Sequence, residues 1–263
     1  MPLRRNVGGL FIFIIKRLSL YIMKKNTSWG KESVWGSYQK EVILPNLLRL
    51  LNLKKNEVVL DLACGAGLFV KEFLKTGAKA IGADISKALI NAAKNNSSAD
   101  FYVSSADDLR FLKDKSVDKI SLIFAIQNME NVGGVLKESN RVLKPRGKIF
   151  IVMNHPAFRI PRESSWGWDN EAKVQYRRID RYLSESKAKI EMHPSATRLE
   201  QNPGPEGYTI SFHRPLQFYF KALEKNGFAV IRLEEWVSNK TSGPGLRAAA
   251  ENRSRAEIPL FLF

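Results

Sequence analysis

Cysteine is almost missing from this chain: Cys64 is the one thiol in 263 residues. A single thiol excludes a disulfide framework and the paired-thiol zinc patterns, and it suits a reducing, cytoplasmic setting. Histidine is scarce as well. His155, His193 and His213 are scattered without paired acids at helical spacing, so no metal site is expected. Long apolar runs are lacking too. The N-terminal run Leu10 to Ile15 stops at Lys16 and Arg17, well short of the ~20 residues needed to cross a bilayer, so no stable membrane span is expected. Basic residues precede that run as in a signal peptide, but no small-residue cleavage site follows. An interfacial anchor is one reading of residues 1–22. The preferred reading takes Met23 as the native start and sets residues 1–28 apart as an extension outside the fold.

Acidic residues are the minority charge, 26 against 42 Lys and Arg, for a net charge of +16. Where the excess lies decides what it means. Residues 1–55 carry eleven basic residues against two acids, whereas residues 56–154 carry fourteen against eleven. The body of the chain is therefore only mildly basic, and a nucleic-acid partner is not favoured.

What is present centres on Val58-Val59-Leu60-Asp61-Leu62-Ala63-Cys64-Gly65-Ala66-Gly67-Leu68-Phe69. Val58 to Leu62 is long enough for a buried strand and too short for a helix. After the Gly-x-Gly turn, Leu68, Phe69, Phe73 and Leu74 recur at helical spacing. Strand, tight turn and helix leave a backbone against which a ligand can lie, at a helix N-terminus. A dinucleotide site wants a third glycine three residues on, and that position is Val70. Asp61 would repel a pyrophosphate and suits a cationic amino-acid ligand. Cys64 sits in the turn and is read as lining a pocket rather than reacting.

Asp61 to Gly67 resembles the first motif of the class I S-adenosylmethionine-dependent methyltransferases, an acidic residue followed by Gly-x-Gly-x-Gly. Ala63 stands at the first glycine. The resemblance implies an α/β fold: a doubly wound, mostly parallel seven-stranded sheet of Rossmann-like form. It also implies S-adenosylmethionine as cofactor, against Asp61, Ala63, Gly65 and Gly67. The rest of the chain agrees. Lys79 to Asp84 reads as a second strand whose terminal Asp84, followed by Ile85, is placed for the ribose hydroxyls. Ser86 caps a helix from Lys87 to Asn95. After a third strand at Phe101-Tyr102-Val103, the family's adenine-binding Asp-Ala pair falls on Ser105 and Ala106, with Asp107 two residues on. Either Ser105 or Asp107 accepts from the adenine amino group. A fourth strand, Val117 to Phe124, ends at Ala125 and Gln127, at the carboxyl edge where such sheets bind ligands. A helix over 136–143 and the family-like turn Leu143-Lys144-Pro145-Arg146-Gly147 lead into a fifth strand over 149–153. Upstream, Trp35 and Tyr38 precede an amphipathic helix from Val42 to Leu51. They either close over the cofactor or cap the edge of the core.

Residues 29–154 are thus expected to form the cofactor-binding domain and 155–213 an inserted α+β lid after the fifth strand. In the lid a helix is expected near 170–186, with strands near 187–193 and 207–212. A dimerisation surface is the other reading of this segment. Residues 214–263 complete the sheet with a helix from Leu216 to Lys225 and antiparallel strands at Phe228–Val237 and Ile258–Phe263. The chain ends inside that last apolar strand, so a few more residues are expected beyond it. His155 and His213 flank the insert and are the candidate general bases. Amino-methylating nucleic-acid enzymes of this superfamily carry Asn/Asp-Pro-Pro-aromatic after the fourth strand, and none is present. The resemblance is strongest to the small-molecule, quinone-type branch. It implies transfer of a methyl group to a small acceptor, at oxygen or carbon, by a monomer or homodimer. RNA or protein methylation and non-catalytic cofactor binding are the rivals.

Overall fold

The computed structural model describes residues 36–191 and 208–263. Trp35 and His193 lie outside the described residues. A short π-helical stretch, Gln39–Ile43, runs into α1 (Leu44–Leu51). There follow β1 (Val58–Leu62), α2 (Leu68–Leu74), β2 (Lys79–Asp84), α3 (Lys87–Asn96), β3 (Asp100–Val103), β4 (Val117–Ile123), α4 (Val132–Val142) and β5 (Leu143–Asn154). After these come β6 (Ser164–Asp169), β7 (Val174–Ile179), β8 (Ser186–Glu191), β9 (Tyr208–His213), α5 (Leu216–Lys225), β10 (Glu235–Trp236), α6 (Ala248–Glu257) and β11 (Phe261–Leu262).

Seven strands form one sheet in the order β10-β11-β5-β4-β1-β2-β3. The five strands β1 to β5 pair in parallel, and β11 joins β5 and β10 antiparallel. Parallel strands covered on both faces need apolar residues pointing both ways. Adjacent residues of β1 show it: Val59 joins the core under α1, α2 and α3, while Leu60 joins the opposite core under α4 and α5. Val152 and Met153 of β5 divide in the same way. The sheet is therefore doubly wound, as the sequence implies. Its switch lies between β1 and β4, whose carboxyl ends face a common crevice.

Several elements differ from expectation. The segment 170–186 is not a helix. It holds the turn of a hairpin between β6 and β7 and the whole of β7. Asp169 Oδ1 accepts from the backbone N–H groups of Glu171 and Ala172, 2.8 and 2.9 Å away, which closes the turn. Across the hairpin, Arg177 stacks on Trp166 at 5.2 Å. Those cross-strand contacts outweigh the helix propensity of the Glu-Ala-Lys run. Strands β8 and β9 pair antiparallel, each beginning one residue from its expected start, with the described part of β8 ending at Glu191. The described part of the insert is thus two hairpins, without the expected helix.

Helix α4 starts four residues early because Asn131 caps it, Oδ1 accepting from Gly134 N–H at 3.0 Å. Strand β5 starts at Leu143, not 149, with Arg146 left-handed (φ 67°) inside it. The final hairpin is short. Phe228 to Glu234 stays irregular, and only two residues of each strand pair. Helix α6 was not anticipated, because Ala, Arg and Glu give it little apolar periodicity. Ser254 on α6 donates to the Gln175 carbonyl at 2.7 Å and so fastens it to β7. Among the described residues, no helix is long and apolar enough to cross a membrane.

Candidate functional site

The turn after β1 is the centre of the crevice. Leu62 is followed by Ala63 at φ 60°, then Gly65 at φ 56° and Gly67 at φ 75°. A Cβ on Gly65 would meet nothing within 4 Å, so space lies open above its backbone. Gly67 differs: a Cβ there would come within 2.9 Å of the Phe101 ring, so this glycine lets the turn pack on β3. Val70 is fully buried in the core and leaves no room for the close helix–strand approach of a dinucleotide site.

Ala63 occupies the left-handed region in which an L side chain costs roughly 1–2 kcal/mol. Ala63→Gly relieves that strain while enlarging the freedom of the unfolded chain, which offsets part of the gain. The expected result is a melting midpoint raised by about 2–4 °C, equivalent to ~1 kcal/mol in a chain of this size. An unchanged or lowered midpoint by scanning calorimetry would show that this backbone is not strained.

Two carboxylates organise the turn. Asp84, at the tip of β2 and 8 % exposed, accepts from Gly65 N–H through Oδ2 at 2.8 Å and from Ser86 N–H through Oδ1 at 2.9 Å. It thus clamps the glycine turn to β2 while standing at the strand's carboxyl end. Asp61 is 2 % exposed and accepts from the Ser121 hydroxyl on β4 at 2.7 Å. Burial pushes the Asp61 carboxyl up to about 7; the Ser121 hydrogen bond opposes this, and the Asp84 charge adds to it. Burial, then the charges of Asp61 and Asp84, also pushes the Cys64 thiol up, which keeps it protonated and inert.

Beyond the turn, Ile85 is 74 % exposed at the carboxyl edge, an apolar surface beside Asp84 with no partner in the core. Ser105 donates from its hydroxyl to Asp107 Oδ1, and Asp107 Oδ2 accepts from Asn131 Nδ2 at 2.8 Å. These bonds hold the Asp107 carboxyl below the usual carboxylate range. The two adenine candidates are therefore one linked unit, joined by Ala106. After β4, Phe124 is left-handed at φ 54°, followed by Ala125 and a 3₁₀ turn, Ile126–Asn128. Gln127 is 8 % exposed. Its Nε2 donates to the Phe124 carbonyl at 2.9 Å, while its Oε1 is buried without a hydrogen-bond partner among the described residues. An orphaned acceptor of that kind costs about 1–3 kcal/mol, which a bound donor would recover.

Tyr38 packs at the edge of the core. Its ring meets Phe261 edge-on at 5.3 Å and its hydroxyl lies 3.1 Å from Ser238 Oγ. The two histidines are engaged by the protein. His155 Nδ1 accepts from the N–H groups of Ala157 and Phe158, and Nε2 lies 2.7 Å from Glu235 Oε1. Burial pushes the His155 pKa down, against the pull of Glu235. With both nitrogens committed, His155 holds the turn after β5 rather than standing ready for a substrate proton. His213 Nε2 donates to the Tyr182 carbonyl at 2.7 Å and sits where β9 joins α5, so it braces the second hairpin.

Sequence reasoning missed the partners. Ser121, Asn131, Glu235 and Tyr182 each meet their functional neighbour from a distant part of the chain, and no local signal marks them. It also missed Arg214, which donates to the carbonyls of Met129 and Glu130 at 3.0 and 3.1 Å and ties the β8–β9 hairpin to the loop after β4. A cavity of about 890 Å³ runs along β5 beneath Phe228 to Leu233. None of the cofactor candidates lines it, so it is not this site.

Comparison with known proteins agrees with the geometry. Residues 60–151 match a family model described as a methyltransferase domain. A demethylmenaquinone methyltransferase of Tropheryma whipplei is 33% identical over 112 residues, 41% of this chain and 46% of that protein. A ubiquinone/menaquinone biosynthesis C-methyltransferase of Hydrogenovibrio crunogenus is 27% identical over 204 residues, 68% of this chain and 73% of that protein. The chain spans about half the length of the first of the curated relatives it matches. The crystal structure of an S-adenosylmethionine-dependent methyltransferase from Mesorhizobium loti superposes with a TM-score of 0.63 at 24% identity, covering 83% of this chain and 94% of that one. The residues present fit that cofactor: open space over Gly65, a carboxylate at the tip of β2 and an orphaned acceptor at Gln127. Residues 60–151 thus match a methyltransferase domain, and the fold around them is that of the S-adenosylmethionine-dependent methyltransferases.

Proposed function

We propose that the chain transfers a methyl group to a small-molecule acceptor, at oxygen or carbon, with quinone-like rings as the first class to test. The observation that carries this reading is the Asp84-clamped turn at Gly65, with open space above its backbone at the carboxyl end of β1. When bound, the cofactor supplies a methyl already activated by its sulfonium. The protein's part is alignment, which can lower the barrier by roughly 7–11 kcal/mol. In this reading Ala63 and Gly65 offer backbone to the amino-acid end, Asp61 its charge, and Asp84 the ribose contacts. Ile85 and the Ser105–Asp107 pair hold the adenine, and Gln127 accepts from the ligand at the carboxyl end of β4. The two hairpins between β5 and α5 serve as the lid that excludes water. The demethylmenaquinone and ubiquinone/menaquinone relatives support a ring acceptor. Incubating the protein with methyl-labelled cofactor and a metabolite extract tests the function. A labelled small molecule is expected; label on RNA or protein alone, or no transfer despite tight cofactor binding, would refute it.

Asp61 gives this reading a pH signature. Held near 7 by burial, it is largely protonated in the empty site at pH 6. An ammonium arriving beside it favours the ionised form, so binding releases a proton. Affinity for S-adenosylhomocysteine should rise by up to about tenfold per pH unit below about 7 and level off above it. Calorimetry at pH 6 in two buffers of different ionisation enthalpy should report proton release, absent in Asp61→Asn. No release from the wild-type protein would separate Asp61 from the ligand's amino group.

A further inference from the structure

Arg159 lies five residues beyond the carboxyl end of β5, half-buried. Its guanidinium stands over the Phe261 ring at 5.4 Å, and Phe261 also meets Tyr38 and, at 5.5 Å, Phe124. Among the described residues that guanidinium has no hydrogen bond and no ion pair. Other arginines here are answered: Arg49 by Glu234, Arg141 by Glu138 and Asp114, Arg178 by Asp180, Arg255 by Glu251.

The charged surroundings of Arg159 deepen the contrast. Among the described residues, the groups that act on it are the Tyr38 phenol and a second arginine, Arg177, and no carboxylate. Burial comes first among the causes that push its pKa down, as it does for Arg177. Arg177 is itself without a carboxylate, donating to the Phe158 carbonyl and the Ser164 hydroxyl at 2.8 Å each. Lys240 adds a third cation 4.7 Å over the Tyr38 ring. The nearby acids of the C-terminal segment are spent elsewhere: Glu234 on Arg49 and Arg232, Glu235 on His155. Partly desolvated cations are normally paired. Here Arg159 and Lys240 stand over two rings in contact, Phe261 and Tyr38, and among the described residues neither has an ion pair with a carboxylate.

We propose that this cluster receives an oxyanion of the methyl acceptor, a carboxylate or a phosphate, with Arg159 as the residue that binds it. The acceptor is then an anionic small molecule with an apolar ring or chain against Phe261. The inference rests on the proposed methyltransferase reading, and it narrows the substrate class within that reading. A planar guanidinium suits either oxyanion, binding two oxygens at once.

Benzoate, phenyl phosphate and the neutral benzamide serve as probes, titrated calorimetrically into the full chain saturated with S-adenosylhomocysteine. At least one anion should bind at least tenfold tighter than benzamide, and which one does so separates carboxylate from phosphate. Arg159→Met should weaken that anion by roughly 10- to 150-fold, the range expected for hydrogen bonds to a charged group. Arg159→Lys, which keeps the charge, should fall between, and S-adenosylhomocysteine affinity should stay constant throughout. Equal binding of benzamide, no binding of either anion, or an undiminished Met variant would overturn the inference. Failure of S-adenosylhomocysteine to bind the wild-type chain would instead overturn the methyltransferase reading beneath it.

Discussion

Gly65→Val leaves the protein folded and removes its affinity for S-adenosylhomocysteine. The two halves of that outcome have separate causes. A Cβ at Gly65 meets no atom beyond its chain neighbours within 4 Å, so the added side chain starts in open space and not in the core. The cost to folding is the left-handed backbone, φ 56°, roughly 1–2 kcal/mol for an L residue. That corresponds to a midpoint lowered by about 2–8 °C. In the proposed site the same open space takes the ligand, and the valine branches fill it. Binding should drop beyond a millimolar titration, weaker than about −4 kcal/mol. Gly67→Val is the contrast. There the added atoms strike Phe101, so unfolding rather than selective loss of binding is expected. Wild-type affinity in folded Gly65→Val would place the ligand elsewhere.

Asp84→Ala should damage both binding and stability. Both carboxylate oxygens already accept from the backbone, from Gly65 and Ser86. Removing them leaves two N–H groups without partners, at about 1–3 kcal/mol for each that stays buried. The turn then loses its tie to β2 at the proposed cofactor site. Loss of the proposed ribose contacts adds ~1.5–3 kcal/mol to the binding deficit, a factor of roughly 10 to 150. Asp84→Asn keeps one acceptor oxygen and should fall between wild type and Ala in both measurements. If calorimetry gives Asp84→Ala the wild-type dissociation constant, Asp84 has only the structural role of clamping the turn.

How much of this was legible in the sequence follows from the range of the interactions. Strands β1 to β4 carry short apolar runs, and α2 and α3 carry helical spacing, so local pattern located them within a few residues. Ser86 was readable as a cap because its partner is three residues away, its hydroxyl accepting from Leu89 N–H at 3.3 Å. The glycine turn was readable because backbone sterics act within five residues. By contrast, the role of Gly67 depends on Phe101, and the burial of Asp61 depends on Ser121 across the sheet. The histidines show the same limit: residue type suggests a base, but Glu235 and the Tyr182 carbonyl, far along the chain, decide how each nitrogen is used. In the insert the misreading was one of period. The Arg–Trp and Ser–Arg contacts that stabilise the β6–β7 hairpin join residues on opposite strands, while the intervening turn has the composition of a helix.

The most direct test of the central claim is a crystal structure with S-adenosylhomocysteine bound. The ligand should lie over the Gly65 backbone, with both ribose hydroxyls within hydrogen-bond distance of the Asp84 carboxylate, about 2.5–3.0 Å. Density for the ligand in the cavity along β5, or anywhere that leaves Gly65 and Asp84 untouched, would contradict the account.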